Sequence, residues 1–152
     1  MIVSGEKGAA EIKDAVSRLM SVRICGNTVS QLIVPAALKD TESTAALVKK
    51  GGRLYEQSKA VTKIIKESGV MTCVENDAAF YVFPRFDHKA MGLKSDNDFC
   101  AGLLKEKHIL VIPGSGFMYP DYDHLRIVML PEKPALETAM TDMIAYARSL
   151  LS

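Results

Sequence analysis

The sequence predicts an α+β fold in which helices cover a small mixed or antiparallel sheet of about four strands, and further helices precede this sheet. Apolar residues follow a helical period up to Gly69 and an alternation of two from Val70 onward. The strand-like segments come first as a hairpin and then as two strands split by a loop, a grouping typical of α+β proteins. With 48% hydrophobic and 24% charged residues, the 152 residues suffice for one ordinary globular core.

Two helices are predicted near the start of the chain. Ile12, Val16 and Leu19 have the spacing of an amphipathic helix, with charged residues on the opposite side. Asn27 or Thr28 can cap a second helix that continues to about residue 38, because short polar side chains accept hydrogen bonds from the first free backbone amides.

The second helix contains Pro35, and a proline in a helix interior costs about 3 kcal/mol unless it kinks the helix. Residues 40–46 are predicted to form a linking turn. A third helix is predicted over residues 53–67, and Gly69 supplies the glycine that commonly ends a helix.

The second half of the chain is predicted to contribute the strands and two further helices. The strands are residues 71–75, 79–83, 109–112 and 125–129. The first two are expected to pair as a hairpin through Asn76 and Asp77, and Pro113 is expected to end the third. Ser95 or Asp96 can cap a helix that ends near Lys107.

A final helix is predicted after Pro131. Its apolar positions recur with helical spacing, and we interpret them as core packing, since methionine fills irregular gaps in a core. These positions are Leu136, Met140, Met143, Ala147 and Leu150.

Charge and cysteine content exclude several classes of partner and location. The 19 basic and 18 acidic residues nearly cancel, so neither nucleic acid nor a membrane surface is expected as a partner. No apolar run approaches the roughly 18 residues of a membrane helix. Cys25, Cys73 and Cys100 are odd in number, widely spaced and set in apolar patterns, which is typical of reduced, buried thiols in a cytoplasmic protein.

The histidines give no sign of a metal site. His88, His108 and His124 are scattered over three segments without metal-ligand spacing, and no cysteine pair adjoins them. We therefore expect no metal, and interpret the three as solvated loop histidines.

Arg126 is the candidate functional residue, because it interrupts an apolar strand. In an extended strand, Leu125 and Ile127 point to one face, and Arg126 shares the other face with Val128. A buried guanidinium without a partner is costly. It therefore needs an exposed position, an ion pair with Glu75 or Asp123, or an anionic ligand. Its planar fork suits a bidentate carboxylate, so a small carboxylate ligand is the favoured hypothesis.

A second candidate is the segment Pro113-Gly-Ser-Gly-Phe117, which directly follows an apolar strand. Glycines around a serine let a backbone turn tightly and approach a ligand closely. A tight turn without any ligand explains the same pattern, so Gly114 and Ser115 stay candidates only.

Four motifs follow one another along the chain: residues 51–56, GGRLYE; residues 77–84, DAAFYVFP; residues 112–117, IPGSGF; and residues 124–131, HLRIVMLP. In this order they resemble the C-terminal part of class I aminotransferases of fold type I, and most of all the alanine aminotransferase branch. The opening residues 1–5, MIVSG, resemble more loosely the strand after the cofactor lysine region of that branch.

The resemblance implies a role for each candidate residue. Arg126 would bind the α-carboxylate of the substrate, and Gly114 and Ser115 would shape the pocket beside it. Tyr81 would border the site, although a buried tyrosine of the strand explains this residue equally. The substrates would be an amino acid and a 2-oxo acid. Pyridoxal phosphate would be the cofactor of the full-length parent, itself a homodimer, and none is expected on this chain.

The resemblance also implies a division of the chain. Residues 1–50 would be connecting helices from the missing N-terminal large domain, and residues 51–152 the small C-terminal domain. Lys7 leads straight into a helix and does not match the cofactor lysine motif, so that lysine is expected upstream of Met1. The expected consequence is that this chain alone is inactive, with no catalytic or cofactor-binding residue of its own.

Three alternatives stay open at this point. The chain could be a stand-alone carboxylate-binding or regulatory module, or a structural domain whose Arg126 pairs with Glu75. Carbon-sulfur lyases and synthases that use pyridoxal phosphate share the same C-terminal plan.

Overall fold

The computed structural model describes residues 8–22, 25–75 and 79–151. The chain divides into two compact units, Met1–Ser43 and Thr44–Ser152. The assignment of residues 1–50 and 51–152 to different domains of a larger protein stays a prediction.

The first unit contains α1 (Ala9–Ser21) and α2 (Thr28–Lys39). The Asn27 side chain caps α2 by accepting a 3.2 Å hydrogen bond from the backbone N–H of Ser30, as predicted. Pro35 lies inside this helix. None of the residues of α1 or α2 is buried.

The turn predicted over residues 40–46 is wrong, since α3 covers Thr41–Val48. Asp40 accepts a 3.0 Å hydrogen bond from the backbone N–H of Ser43, which satisfies an amide at the start of the helix. Alanine and leucine, which favour helix, follow at residues 45–47. A polar start was thus mistaken for a turn.

The second unit contains three helices close to their predicted bounds: α4 (Arg53–Ser68), α5 (Asp96–Lys107) and α6 (Lys133–Ser149). Gly69 ends α4 with a φ of 71°, a left-handed conformation that glycine adopts without strain. Ser95 caps α5 in a reciprocal pair with Asp98. The helix boundaries therefore follow from local capping chemistry.

Five short strands are found in the described part of the chain: β1 (Met71–Thr72), β2 (Tyr81–Val82), β3 (Arg85–Phe86), β4 (Ile112–Pro113) and β5 (Leu125–Val128). All their pairings are antiparallel. β1 pairs with β3, while β5 lies between β2 and β4. The observed architecture confirms the α+β prediction.

The predicted hairpin of residues 71–75 with 79–83 is wrong. β1 pairs with β3, and β2 pairs instead with β5, which aligns Tyr81 with Val128. Residues 76–78, the predicted turn, lie outside the described residues. The third predicted strand, residues 109–112, is found only as β4, whose last residue, Pro113, pairs with Leu125. Instead of pairing with each other, β1 and β2 each pair with a strand that lies further along the chain.

The core of the second unit lies between the helices and one face of the strands. Its largest fully buried apolar side chains come from α4, α5, α6, β5 and the residue after β5, and include both methionines of the predicted stripe. They are Val61, Ile65, Phe99, Leu103, Leu125, Met129, Met140 and Met143. The interpretation of that stripe as core packing is confirmed.

Two expectations about isolated side chains need correction. Cys100 is buried, and burial together with the nearby Asp96 carboxylate raises its pKa to about 12, but Cys25 is exposed. His88 and His124 are not solvated, since the first is buried and the second nearly so.

No helix in the described ranges is both long enough and apolar enough to cross a membrane.

Candidate functional site

The site is centred on Arg126, whose position on β5 agrees with the predicted alternation. Leu125 and Ile127 are buried toward the core, whereas Arg126 and Val128 are half-buried on the other face. Ile112 of β4 lies opposite Arg126 in the antiparallel register. The guanidinium is therefore held among hydrocarbon groups, on a strand that has a neighbour on each side.

Two aromatic rings contact the guanidinium. Its Cζ atom lies 4.8 Å from the ring centre of Tyr81 and 4.4 Å from that of Phe117. Both distances are typical of cation–π contacts. The Nε atom is shielded from solvent and has no hydrogen-bond partner among the described residues. Aromatic faces stabilise the charge, but they do not satisfy its N–H donors.

Neither carboxylate expected as a structural partner binds Arg126. Glu75 pairs with Lys59 at 3.0 Å and with Lys66. Asp123 accepts a 2.6 Å hydrogen bond from Nε of Arg85. The alternative that placed Arg126 in an ion pair with either acid is therefore wrong.

These basic partners lower the pKa values of both acids, Glu75 and Asp123. Hydrogen bonds from Lys66 and then Lys59 lower the pKa of Glu75 to about 2. Burial raises the pKa of Asp123, but hydrogen bonds from Arg85 and His124 outweigh this, and the pKa lies below its ordinary value. Both carboxylates thus stay charged at neutral pH, and both are already bound by other basic side chains.

The segment Gly114–Phe117 forms a short 3-10 turn directly after β4. The Gly114 N–H donates a 2.8 Å hydrogen bond to the carbonyl oxygen of His124. A Cβ on Gly114 would lie 2.9 Å from the Cβ of His124 and 3.1 Å from Cζ of Phe83. Glycine is therefore required here by close approach, and the turn brings Phe117 against Arg126.

Ser115 is engaged by the start of α5. The two carboxylate oxygens of Asp96 accept hydrogen bonds from the Ser115 N–H at 2.7 Å and from its hydroxyl at 2.8 Å. The Nδ2 of Asn97 donates a 3.3 Å hydrogen bond to the same hydroxyl. Asp96 is 0% exposed, so this bidentate contact is shielded from water.

The predicted site residues therefore differ in how directly they are linked to Arg126. Tyr81 touches the Arg126 guanidinium, whereas Gly114 and Ser115 form the turn that carries Phe117. Sequence reasoning missed the contact of Phe117, although the residue ends the quoted motif. It also missed Asp96, which was considered only as a helix cap.

A cavity of about 570 Å³ lies beside β5 and α6. Arg126 is the one ionisable residue of its lining, and the others are apolar, including Ile112, Leu130 and Met140. A phosphorylated aldehyde cofactor would require a lysine, a group for its phosphate and an acid for its ring nitrogen. The lining does not fit that donor set, and the two rings that contact the guanidinium, Tyr81 and Phe117, are not part of it.

No metal site accompanies this arrangement. The described residues contain no group of three or more histidine, cysteine, aspartate or glutamate side chains arranged to hold a metal ion.

Comparison with known proteins identifies the family of the chain. The family model described as aminotransferase class I and II matches residues 3–141. The glutamate-pyruvate aminotransferase AlaA of Haemophilus influenzae is 33% identical over 147 residues, which are 96% of this chain and 36% of that protein. The alanine aminotransferase of Mycobacterium bovis is 33% identical over 139 residues, 91% of this chain and 32% of that protein.

Solved structures show the same likeness. A crystal structure of an aminotransferase from Escherichia coli superposes with a TM-score of 0.82 at 30% identity, and covers 93% of this chain and 34% of that one. An alanine aminotransferase from Pyrococcus furiosus gives 0.71 at 28% identity, and covers 95% and 36%. The chain thus spans about a third of the length of the relatives it matches. The match over residues 3–141 shows that this chain belongs to the class I and II aminotransferase family.

Proposed function

We propose that this chain forms part of a pyridoxal-phosphate-dependent aminotransferase that moves an amino group between an alanine-like amino acid and a 2-oxo acid. In this proposal Arg126 binds the α-carboxylate of both substrates. Support comes from membership of the family and from relatives named as glutamate-pyruvate and alanine aminotransferases. The proposed enzyme is a cytoplasmic homodimer.

The observation that carries the proposal is the environment of Arg126. A half-buried guanidinium with a shielded Nε and no carboxylate partner among the described residues is costly unless a ligand completes it. A substrate carboxylate supplies two acceptor oxygens in the plane of the fork. The ring contacts of Tyr81 and Phe117 restrict the guanidinium, so less rotational freedom is lost on binding.

The proposed contribution of this chain is binding and orientation. Pyridoxal phosphate, when bound, supplies an electron sink for the carbon next to the carboxylate. Arg126 would fix the carboxylate, and therefore the direction of the neighbouring carbon–hydrogen bond. The lining near Arg126 does not fit the cofactor, which is why we propose that the isolated chain is inactive.

Cofactor addition tests the inactivity. The 152-residue chain is mixed with pyridoxal phosphate and reduced with borohydride, and its mass is measured by mass spectrometry. Turnover of alanine and 2-oxoglutarate is followed in an unreduced sample. We expect neither a stoichiometric adduct nor turnover. A single stoichiometric adduct together with turnover would overturn the proposal that the chain lacks cofactor chemistry.

Arginine side-chain NMR tests the carboxylate contact. We expect pyruvate and alanine to shift the Arg126 Nε–Hε signal with a millimolar Kd, and the matched neutral amide, pyruvamide, to leave it unchanged. The variant Arg126→Met identifies the signal by removing it. An equal response to pyruvamide, or none to pyruvate, would contradict the role of Arg126.

The same titration separates a second class of function. Micromolar binding of one 2-oxo acid in the absence of cofactor would favour a stand-alone carboxylate-binding module. The cavity of about 570 Å³ beside Arg126 is the observation that keeps this alternative in view. A lyase or synthase would be distinguished only by its products.

A further inference from the structure

Asp96 is a buried acid whose position helix capping does not explain. Ser95 caps α5, and the side chain of Asp98 completes that capping box. Asp96, between them, is 0% exposed, and its carboxylate binds outside the helix, at Ser115. A buried carboxylate is costly unless its oxygens are satisfied, so its position has to be accounted for.

The partner of Asp96 is the second residue of the 3-10 turn. One carboxylate oxygen accepts the Ser115 N–H at 2.7 Å and the other accepts the hydroxyl at 2.8 Å. Charge-assisted hydrogen bonds of this length are about twice as strong as neutral ones. The bidentate contact therefore fixes both the main chain and the side chain of Ser115 against α5.

Phe117 is the last residue of that turn, two positions after Ser115. Its ring centre lies 4.4 Å from Cζ of Arg126, and the residue is 46% exposed. Its ring also meets the ring of Phe83 edge-on, with centres 6.5 Å apart. Because Phe117 is not buried in the core, its position depends on the backbone of the turn as well as on these contacts.

We propose that Asp96 is a positioning residue for Arg126: through Ser115 it fixes the turn that places the Phe117 ring against the guanidinium. This inference rests on the proposed role of Arg126 in binding a carboxylate. Asp96 touches neither the substrate nor Arg126. It acts by restricting the directions in which the guanidinium can present its N–H donors.

The test uses the Nε–Hε signal of Arg126, because an aromatic ring over a guanidinium shifts the signals of its protons. In Phe117→Ala the contribution of that ring is lost, which defines the full effect. We expect Asp96→Asn to move the signal in the same direction, because an asparagine offers a single acceptor oxygen for the two Ser115 donors. We also expect it to weaken pyruvate binding about tenfold.

Asp98→Asn is the matched control. It makes the same chemical change two residues further on, and by removing the charge it weakens the capping box of α5 without touching Ser115. We expect it to lower the unfolding temperature and to leave the Arg126 signal and the pyruvate Kd unchanged. Equal shifts in Asp96→Asn and Asp98→Asn, or no shift in Asp96→Asn, would overturn the proposal.

Ser115→Ala keeps the proposal testable if Asp96→Asn fails to fold. It removes the hydroxyl donor and retains the N–H bond to Asp96, so we expect a smaller shift of the Arg126 signal in the same direction. An unshifted signal in this variant would count against Asp96. If pyruvate leaves the wild-type signal unchanged while Asp96→Asn moves it, the carboxylate role fails and the positioning contact is supported.

Discussion

Two arginines on strands of separate sheets, Arg85 and Arg126, differ in how the protein accommodates the positive charge. Arg85 on β3 is 67% exposed, yet its Nε donates to the Asp123 carboxylate at 2.6 Å. Arg126 on β5 is half-buried, yet its guanidinium lies against two aromatic rings and has no ion pair within the described ranges. Water alone would satisfy the first arginine, and it is the second that needs a partner. This difference between the two arginines is the basis of the proposed carboxylate-binding role of Arg126.

Asp123 explains why the other arginine is paired. Its carboxylate also contacts Nδ1 of His124 at 2.5 Å, and the carbonyl oxygen of His124 accepts the Gly114 N–H. Asp123 therefore connects β3, the start of β5 and the 3-10 turn. We call these connected residues, Arg85, Asp123, His124 and Gly114, the scaffold. Arg126 is not bonded to this scaffold but lies beside it on β5.

The largest expected effect comes from breaking the scaffold at Asp123. Asp123→Asn removes the charge from two hydrogen bonds while keeping the size of the side chain. We expect a loss of about 2–3 kcal/mol in the free energy of unfolding, measured by urea denaturation at pH 7. Asp121→Asn, an exposed acid in the same loop, is the control and should change little. A loss below that of the control would mean that Asp123 supports nothing.

The dependence of the free energy of unfolding on pH, measured on the acid side, makes this prediction more specific. The pKa of Asp123 lies below its ordinary value of 3.8, so its contribution is fully present above that pH and is lost as the pH falls through the folded-state pKa. The difference in stability between wild type and Asp123→Asn should therefore shrink below about pH 4. A difference independent of pH would show that charge is not what Asp123 provides.

The next largest effect is expected at Gly114, where the scaffold meets the turn. A methyl group there would lie 2.9 Å from the Cβ of His124 and 3.0 Å from its carbonyl oxygen. We expect Gly114→Ala to cost about 1–2 kcal/mol and to shift the Arg126 signal. Gly116→Ala is the matched control, because its nearest atom would be at an ordinary 3.7 Å. Equal stability of the two variants would refute the close approach.

The part of the scaffold that depends on local chemistry was predictable. α4, α5 and α6 have bounds fixed by Gly69, by the Ser95 cap and by apolar spacing, all of which can be read from neighbouring residues. The placement of Arg126 on the half-buried face of β5 follows in the same way from the alternation of two. Such features involve residues within a few positions of each other.

The long-range part was not predictable from the same signals. β1 pairs with β3 and β2 with β5, so the choice of strand partner was decided by packing across more than 40 residues in the second case. The bond between Asp96 and Ser115 spans 19 positions, and no spacing rule predicts it. For this reason the sequence located the cation of the candidate site but not the residues that hold its surroundings.

Replacing each arginine by methionine compares the two directly. We expect Arg126→Met to change the free energy of unfolding by less than about 1 kcal/mol, since an unpaired half-buried cation gives way to an apolar chain of similar length. Arg85→Met should be clearly destabilising, because it leaves the buried Asp123 with one partner fewer. Urea denaturation of both variants is the measurement. A larger loss in Arg126→Met would favour a structural role for Arg126.

The smallest effect is expected at Glu75, the acid that the sequence offered as a structural partner for Arg126. Its carboxylate is held by Lys66 and Lys59, so its removal should not reach β5. We expect Glu75→Gln to leave both the Arg126 Nε–Hε signal and the pyruvate Kd unchanged. Exposed ion pairs contribute little, so stability should also change little. A shift of the Arg126 signal as large as that in Asp96→Asn would restore Glu75 as a partner, and Arg126 would then resemble Arg85: a charge held by the protein itself rather than kept for a ligand.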